Sequence, residues 1–142
     1  MKDNTNSAIP LALLVCDTVI TDAMTGKKTL VGIFNALGAT KFPHIIPNMN
    51  IFASLTNLEG EVEVKIKMIA GNDDVVFELP AKVPFKNPFE TPELFFNLQN
   101  FRVNAPGTYE LQLIAKDEVI ASRLLIFKEV RPPAKDQQNK PQ

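Results

Sequence analysis

The stretch EVEVKIKM, Glu61 to Met68, decides the class of fold. Val62, Val64, Ile66 and Met68 fall on one side of an extended chain, and Glu61, Glu63, Lys65 and Lys67 fall on the other. Alternation at period two marks a β-strand with one buried and one wet face. A helix would scatter those apolar side chains around its circumference. Working outward, residues 75–85 (VVFELPAKVPF) repeat the pattern, with Val75, Phe77, Leu79, Ala81, Val83 and Phe85 on one side. Pro80 and Pro84 stand on the other side, and a proline has no N–H to give to a ladder. This segment is therefore an edge strand, or one that breaks near Pro80. Tyr109, Leu111, Leu113 and Ala115 alternate in the same way.

Less regular apolar runs complete the set. Strands are expected at residues 11–20, 28–37, 49–56, 61–68, 75–85, 94–103, 109–115 and 119–128. The breaks between them carry Gly, Asn, Asp and Pro, the residues of turns. Regularly spaced strands without a helix of ten residues predict an antiparallel β-sandwich of about eight strands, immunoglobulin-like or of related topology. Two connections, 38–48 and 86–93, are Pro-rich and contain Phe; both are expected to cross between sheets and cap the core. Residues 101–130 read as strand, turn, strand, tight turn, strand, with Pro106-Gly107 as a type II turn. The folded domain is expected over 9–130. Residues 1–8 read as a flexible start and 131–142 as a disordered tail containing Pro and Gln.

Composition bounds the function. The chain has 142 residues, with Cys 1, His 1, Trp 0, Tyr 1, Phe 10 and Pro 11. That is one domain with one core. A single cysteine excludes a disulfide scaffold, and with a single histidine it excludes a zinc finger or iron–sulfur site. A formal net charge of -1 argues against a nucleic-acid partner. No apolar run approaches the roughly 18–20 residues of a membrane span. The run IPLALLVC, residues 9–16, resembles a short leader ending in a lipoprotein-type cysteine. Asp3 cancels Lys2, however, and Val15 stands where cleavage needs a small residue, so a strand is expected and the domain reads as cytoplasmic.

A family resemblance rests on four pieces: the pair Cys16-Asp17, the run Lys27-Lys28-Thr29-Leu30-Val31-Gly32-Ile33-Phe34-Asn35, the loop Lys41-Phe42-Pro43, and the close Gly107-Thr108-Tyr109. In these the chain resembles the DUF6941-like family of uncharacterised bacterial all-β domains, over about residues 10–130. The resemblance implies an all-β domain, and it carries no activity and no catalytic residue.

The chemistry-bearing side chains are few. Cys16 lies in an apolar strand beside Asp17, whose negative charge opposes a thiolate. His44, the one histidine available as a base, sits among Pro43, Ile45, Ile46 and Pro47. The acidic turns share their end of the sandwich with lysines and have no dense Asp-x-Asp run, so no calcium site is expected. Sugar platforms rely on exposed Trp and Tyr; this chain has no Trp, and its one Tyr falls on the inward face of its strand. Gly26, Gly32 and Gly38 do not form a phosphate loop. The reading is a non-enzymatic binding or assembly module without cofactor or metal, taking a protein partner or a second copy through a sheet edge or the crossover loops. Phe42, His44, Ile45, Ile46 and Phe89 are its candidate contacts. The alternative is a small-ligand binder or weak enzyme with a polar pocket near Asp17, Asn35 and His44.

Overall fold

The computed structural model describes residues 7–132. Most of the stretches read as flexible start and disordered tail, 1–6 and 133–142, lie outside the described residues. The elements are β1 (Ile9–Thr21), β2 (Lys28–Ile33), β3 (Ala36–Ala39), β4 (His44–Thr56), β5 (Gly60–Ile69), β6 (Val75–Phe85), β7 (Glu93–Val103), β8 (Gly107–Ala115) and β9 (Glu118–Glu129). One sheet has the order β2-β1-β4-β7 and the other β3-β9-β8-β5-β6. They pack face to face as an all-β sandwich of nine strands.

The alternating stretch behaves as its pattern dictates. Val62, Val64, Ile66 and Met68 are at most 4% exposed, and each buried side chain of this size stabilises by roughly 1.5–3 kcal/mol. They meet Met49, Ile51, Ala53 and Leu55 of β4 from the other sheet, all fully buried. Tyr109 closes one end of this core. Its ring stands edge-on to Phe127 at 5.2 Å, and its hydroxyl donates to Ala105 O at 2.6 Å, so the polar tip is satisfied. At the other end of β8, Lys116 and Asp117 both hold positive φ, 53° and 63°, in a two-residue turn to β9. Two left-handed residues in such a turn match the twist of the hairpin.

Three expectations are corrected. The run 28–37 is two strands, β2 and β3. Phe34 N–H still donates to Val15 O at 3.0 Å, whereas the carbonyl of Asn35 already accepts from Ile126 N–H at 3.0 Å. The chain thus changes sheet within two residues and keeps its direction, so β3 lies parallel to β9 while every other pair is antiparallel. The connection 38–48 is mostly strand. It does cross between sheets, but through 40–43 alone. Pro47 is accommodated inside β4 because the ladder to β7 skips the step where it faces Asn100, which has φ 54°. Finally, the Pro106-Gly107 turn joins β7 in one sheet to β8 in the other, so it is a corner and not a hairpin. Gly107 there has φ 149°, far from the roughly +80° of a type II turn.

Arg123 is a charged side chain turned inward. It lies on β9 opposite Leu111 of β8, which is fully buried, and so shares its inner face. Its Nη1 reaches across the sandwich to Leu13 O at 2.6 Å. β2 accompanies β1 only from Cys16 onward, leaving the start of β1 without a neighbour on that side. The guanidinium supplies a donor where the missing strand would have.

Candidate functional site

The two sheets end in unlike edges. In the five-stranded sheet β6 is the outer strand, as its prolines predicted. Lys116 N–H donates to Glu63 O, so the main-chain groups of Glu63 and, by alternation, of Glu61 and Lys65 face β8. Their partners on β6 are Pro84, Lys82 and Pro80, whose nitrogens therefore point away from β5. The free edge of β6 thus lacks donors at Pro80 and Pro84. At the opposite end of this sheet β3 is only 4 residues long, and β2 in the other sheet has 6.

β7 differs from all of these. It has 11 residues, contains no proline or lysine, and carries charge only at Glu93 and Arg102, near its two ends. The carbonyls of Val15 and Leu13 accept from Phe34 and Arg123, outside β4, so Val15–Ile51 is an unbonded pair of the β1–β4 ladder. Alternation across β4 then bonds Phe96 to Ile51 and turns the N–H and C=O groups of Phe95, Asn97 and Gln99 outward. Among the described residues no strand lies on that side. The inner side chains here are incompletely covered. Leu94, Phe96 and Leu98 of β7, and Phe77, Leu79 and Ala81 of β6, are half-buried, with Phe77 edge-on to Phe101 at 5.6 Å. A cleft of about 790 Å³ opens where β7 ends, between Phe101, Arg102, Pro106 and the β5–β6 turn with Val75 and Val76.

A second cleft, of about 600 Å³, lies on the outer face of the four-stranded sheet. Phe52 and Phe95 stack there at 4.9 Å. The turn between β1 and β2 lines the same cleft, and Lys28 Nζ stands 5.3 Å above the Phe95 ring. The β1–β2 hairpin therefore arches over this face, beyond the point where β1 leaves β4. An amide cluster holds its root: Asn48 and Asn50 donate to Asp17 O at 2.9 and 3.0 Å, and Asn97 donates to both of their side-chain oxygens. Cys16 is fully buried under the arch, with its Sγ donating to Thr18 O at 3.4 Å. Burial, and then the charge of Asp17, push its thiol pKa up, so it is held neutral. At the tip of the hairpin Met24 N–H and the Thr25 hydroxyl bond the exposed Asp22, which lowers its carboxyl pKa.

The side chains singled out from sequence sit on different elements: Asp17 in β1, Asn35 between β2 and β3, and His44 at the start of β4. Asp17 lies over Gly32, and Asn35 is exposed where the chain changes sheet. His44 begins β4, four residues or about 13 Å from Asn48 in an extended strand. None of the three lines either cleft. Among the contact residues, Ile46 is 6% exposed and belongs to the core, so it offers no surface. Phe42 packs half-buried against the same core, with His44 edge-on to it at 6.4 Å. Ile45 is 50% and Phe89 is 89% exposed. Phe89 sits on the β6–β7 connection, whose backbone is bonded by Thr56 Oγ1 at Pro88 O and Glu90 O, next to the start of β7. Sequence reasoning missed the amide cluster and the β7 edge. The signals were Asn48-x-Asn50, alternating like a strand, and the near-uncharged run from Leu94 to Phe101.

Among the described residues no group of three or more His, Cys, Asp or Glu side chains is placed to hold a metal ion, and no helix is long and apolar enough to cross a membrane. In fold the chain is similar to part of a Pseudomonas fluorescens alkylpurine DNA glycosylase bound to DNA with an abasic site analog. The TM-score is 0.53 at 8% identity, over 85% of this chain and 30% of that one. It is also similar to part of a β-glucosidase from Listeria innocua, with TM-score 0.49 at 12% identity over 89% of this chain and 17% of that one. A glycosyl hydrolase family 2 member from Bacteroides cellulosilyticus gives TM-score 0.41 at 16% identity, over 55% and 12%. The chain thus spans less than a third of each of these proteins, and the likeness is one of fold. No curated protein matches the sequence. The model of a family of unknown function, DUF6941, matches residues 11–128, and the chain belongs to that family.

Proposed function

We propose that this domain is a non-enzymatic protein-binding or assembly module that accepts an extended segment of a partner as an added strand on β7. The observation that carries this reading is the contrast between edges. Sheet edges invite pairing with other chains, and proteins blunt the ones that must stay free. Here β6 is blunted by Pro80 and Pro84, while β2 and β3 are short. β7 alone among the edge strands is long, nearly uncharged and supplied with outward N–H and C=O groups at Phe95, Asn97 and Gln99. Main-chain hydrogen bonds would provide affinity, and the half-buried apolar side chains beneath would provide selectivity. Phe89, held beside the start of β7, extends the same surface.

The test is to use the wild-type domain and Gln99→Pro as baits in matched captures, then to measure the affinity of each captured protein directly. Gln99 turns its N–H outward, so proline there removes a donor from the partner and none from the ladder to β4. A partner retained by the wild type and lost with Gln99→Pro supports the reading. Equal retention by both baits contradicts it.

A further inference from the structure

We propose that the segment accepted by β7 runs antiparallel to it, is apolar at alternate positions, and carries an acidic side chain near its N-terminus and a basic one near its C-terminus. This rests on the strand-addition reading above and specifies its partner.

The apolar alternation follows from what is left uncovered. Val64, Ile66 and Met68 of β5 are fully buried, whereas Phe77, Leu79 and Ala81 on the neighbouring β6 are only half-buried. Phe96 and Leu98 of β7 are likewise half-buried. The side opening of the sandwich is therefore an apolar gap, roofed by no strand among the described residues. A strand bonded to Phe95, Asn97 and Gln99 would direct every second side chain into that gap and the others to solvent. Either direction would use both groups of each outward residue; the antiparallel one, which β4 adopts on the other side, is the slightly more stable per residue and is the one proposed.

Given that direction, the charge order follows from the two ends. In antiparallel pairing the segment's N-terminus lies beside Arg102 and its C-terminus beside Glu93. Arg102 spends its Nε on Asn104 Oδ1 at 2.9 Å, and neither Arg102 nor Glu93 forms a salt bridge among the described residues. The guanidinium keeps a planar fork suited to a carboxylate. Asp74, in the cleft beyond Arg102, already accepts from Asn72 Nδ2 at 2.8 Å. Val75, Val76 and Phe101 line that same cleft, giving the first residues of the segment an apolar floor.

The experiment is selection of a phage-displayed library of random twelve-residue peptides on the full chain, followed by affinity measurements against Gln99→Pro and Arg102→Glu. The expected binders alternate apolar residues, place an acid in the first third and a base in the last, and weaken at least tenfold on each variant. Exchanging the acid for lysine is expected to restore binding to Arg102→Glu. Binders that tolerate Gln99→Pro would overturn strand addition itself. Binders lost with Gln99→Pro but indifferent to Arg102→Glu would overturn the charge order, and binders sensitive to both that carry the acid in their last third would overturn the direction, each leaving strand addition standing. A library that yields no binder sensitive to Gln99→Pro counts against both.

Discussion

The carboxyl group of Asp17 occupies the space that a side chain at residue 32 would need. A β-carbon built on Gly32 would lie 2.5 Å from Asp17 Oδ2 and 2.9 Å from its Cγ, and Gly32 itself holds φ 72°. The two residues belong to separate sequence features, the Cys16-Asp17 pair and the Leu-Val-Gly-Ile-Phe run. The structure joins them at the root of the arching hairpin, just before the chain leaves for the second sheet. The exposed Asp17 side chain can swing aside, so Gly32→Ala is expected to destabilise the domain by about 1–2 kcal/mol, the cost of a left-handed backbone at a residue with a β-carbon. Urea denaturation measures this. Adding Asp17→Ala should change that cost little, since the strain lies in the backbone of residue 32. A Gly32→Ala protein as stable as the wild type would contradict the left-handed backbone at residue 32.

Arg123 makes a different kind of link, between sheets. Its guanidinium satisfies Leu13 O where β1 has no neighbouring strand, while its own Nε is buried without a partner. Arg123→Met keeps the apolar stem but leaves the carbonyl unpaired. The expected cost is about 1–3 kcal/mol in the same denaturation assay, the penalty of a buried polar group left unsatisfied. A stability unchanged or raised by Arg123→Met would mean that water or another donor serves Leu13 O equally well.

Cys16 gives a prediction about reactivity and pH. Its raised pKa, from burial and then from Asp17, keeps the thiol neutral in the folded state. In the unfolded chain it ionises at the ordinary thiol value. A group whose folded pKa is raised contributes stability below the unfolded pKa and loses it as pH climbs through the folded one. Stability is thus expected to fall as pH rises above roughly 8.5, and Cys16→Ala should flatten that decline. A thiol-specific reagent at pH 8 should label the native domain far more slowly than the denatured one. Equal labelling rates would show that the hairpin does not cover the thiol.

Much of the fold was legible because its strands obey a simple period. Glu61–Met68 and 75–85 announce themselves by alternation, and the prolines of the latter correctly mark an edge. Other boundaries were hidden for physical reasons. The change of sheet at Phe34 and Asn35 is a bend at a single Asn inside an otherwise apolar run, with no cluster of turn residues to announce it; Gly32, just upstream, was a second hint. Pro43 and Pro47 made 38–48 look like loop, although a proline facing a skipped ladder step costs the strand no bond. The Pro106-Gly107 turn has the same local chemistry whether it returns to its own sheet or crosses to the other. Candidate contacts fared by geometry rather than composition. Phe89 is held outward by a bonded loop, whereas Ile46, next to the exposed Ile45, points into the core. The β7 edge escaped notice because its significance is relative: only the strand order reveals that nothing lies beside it.

The central claim is that β7 is the edge where a partner strand adds. It is tested most directly by the affinity of an edge-selected peptide for the wild type, Gln99→Pro and Leu98→Pro, each with its unfolding free energy. Gln99→Pro should lose at least tenfold in affinity while staying within about 1 kcal/mol of wild-type stability, since its N–H faces away from β4. Leu98→Pro removes a ladder bond to Met49 and should cost about 1–3 kcal/mol in stability, the penalty of a buried carbonyl left unpaired. A Gln99→Pro domain that is stably folded and binds the peptide as tightly as the wild type would contradict the account.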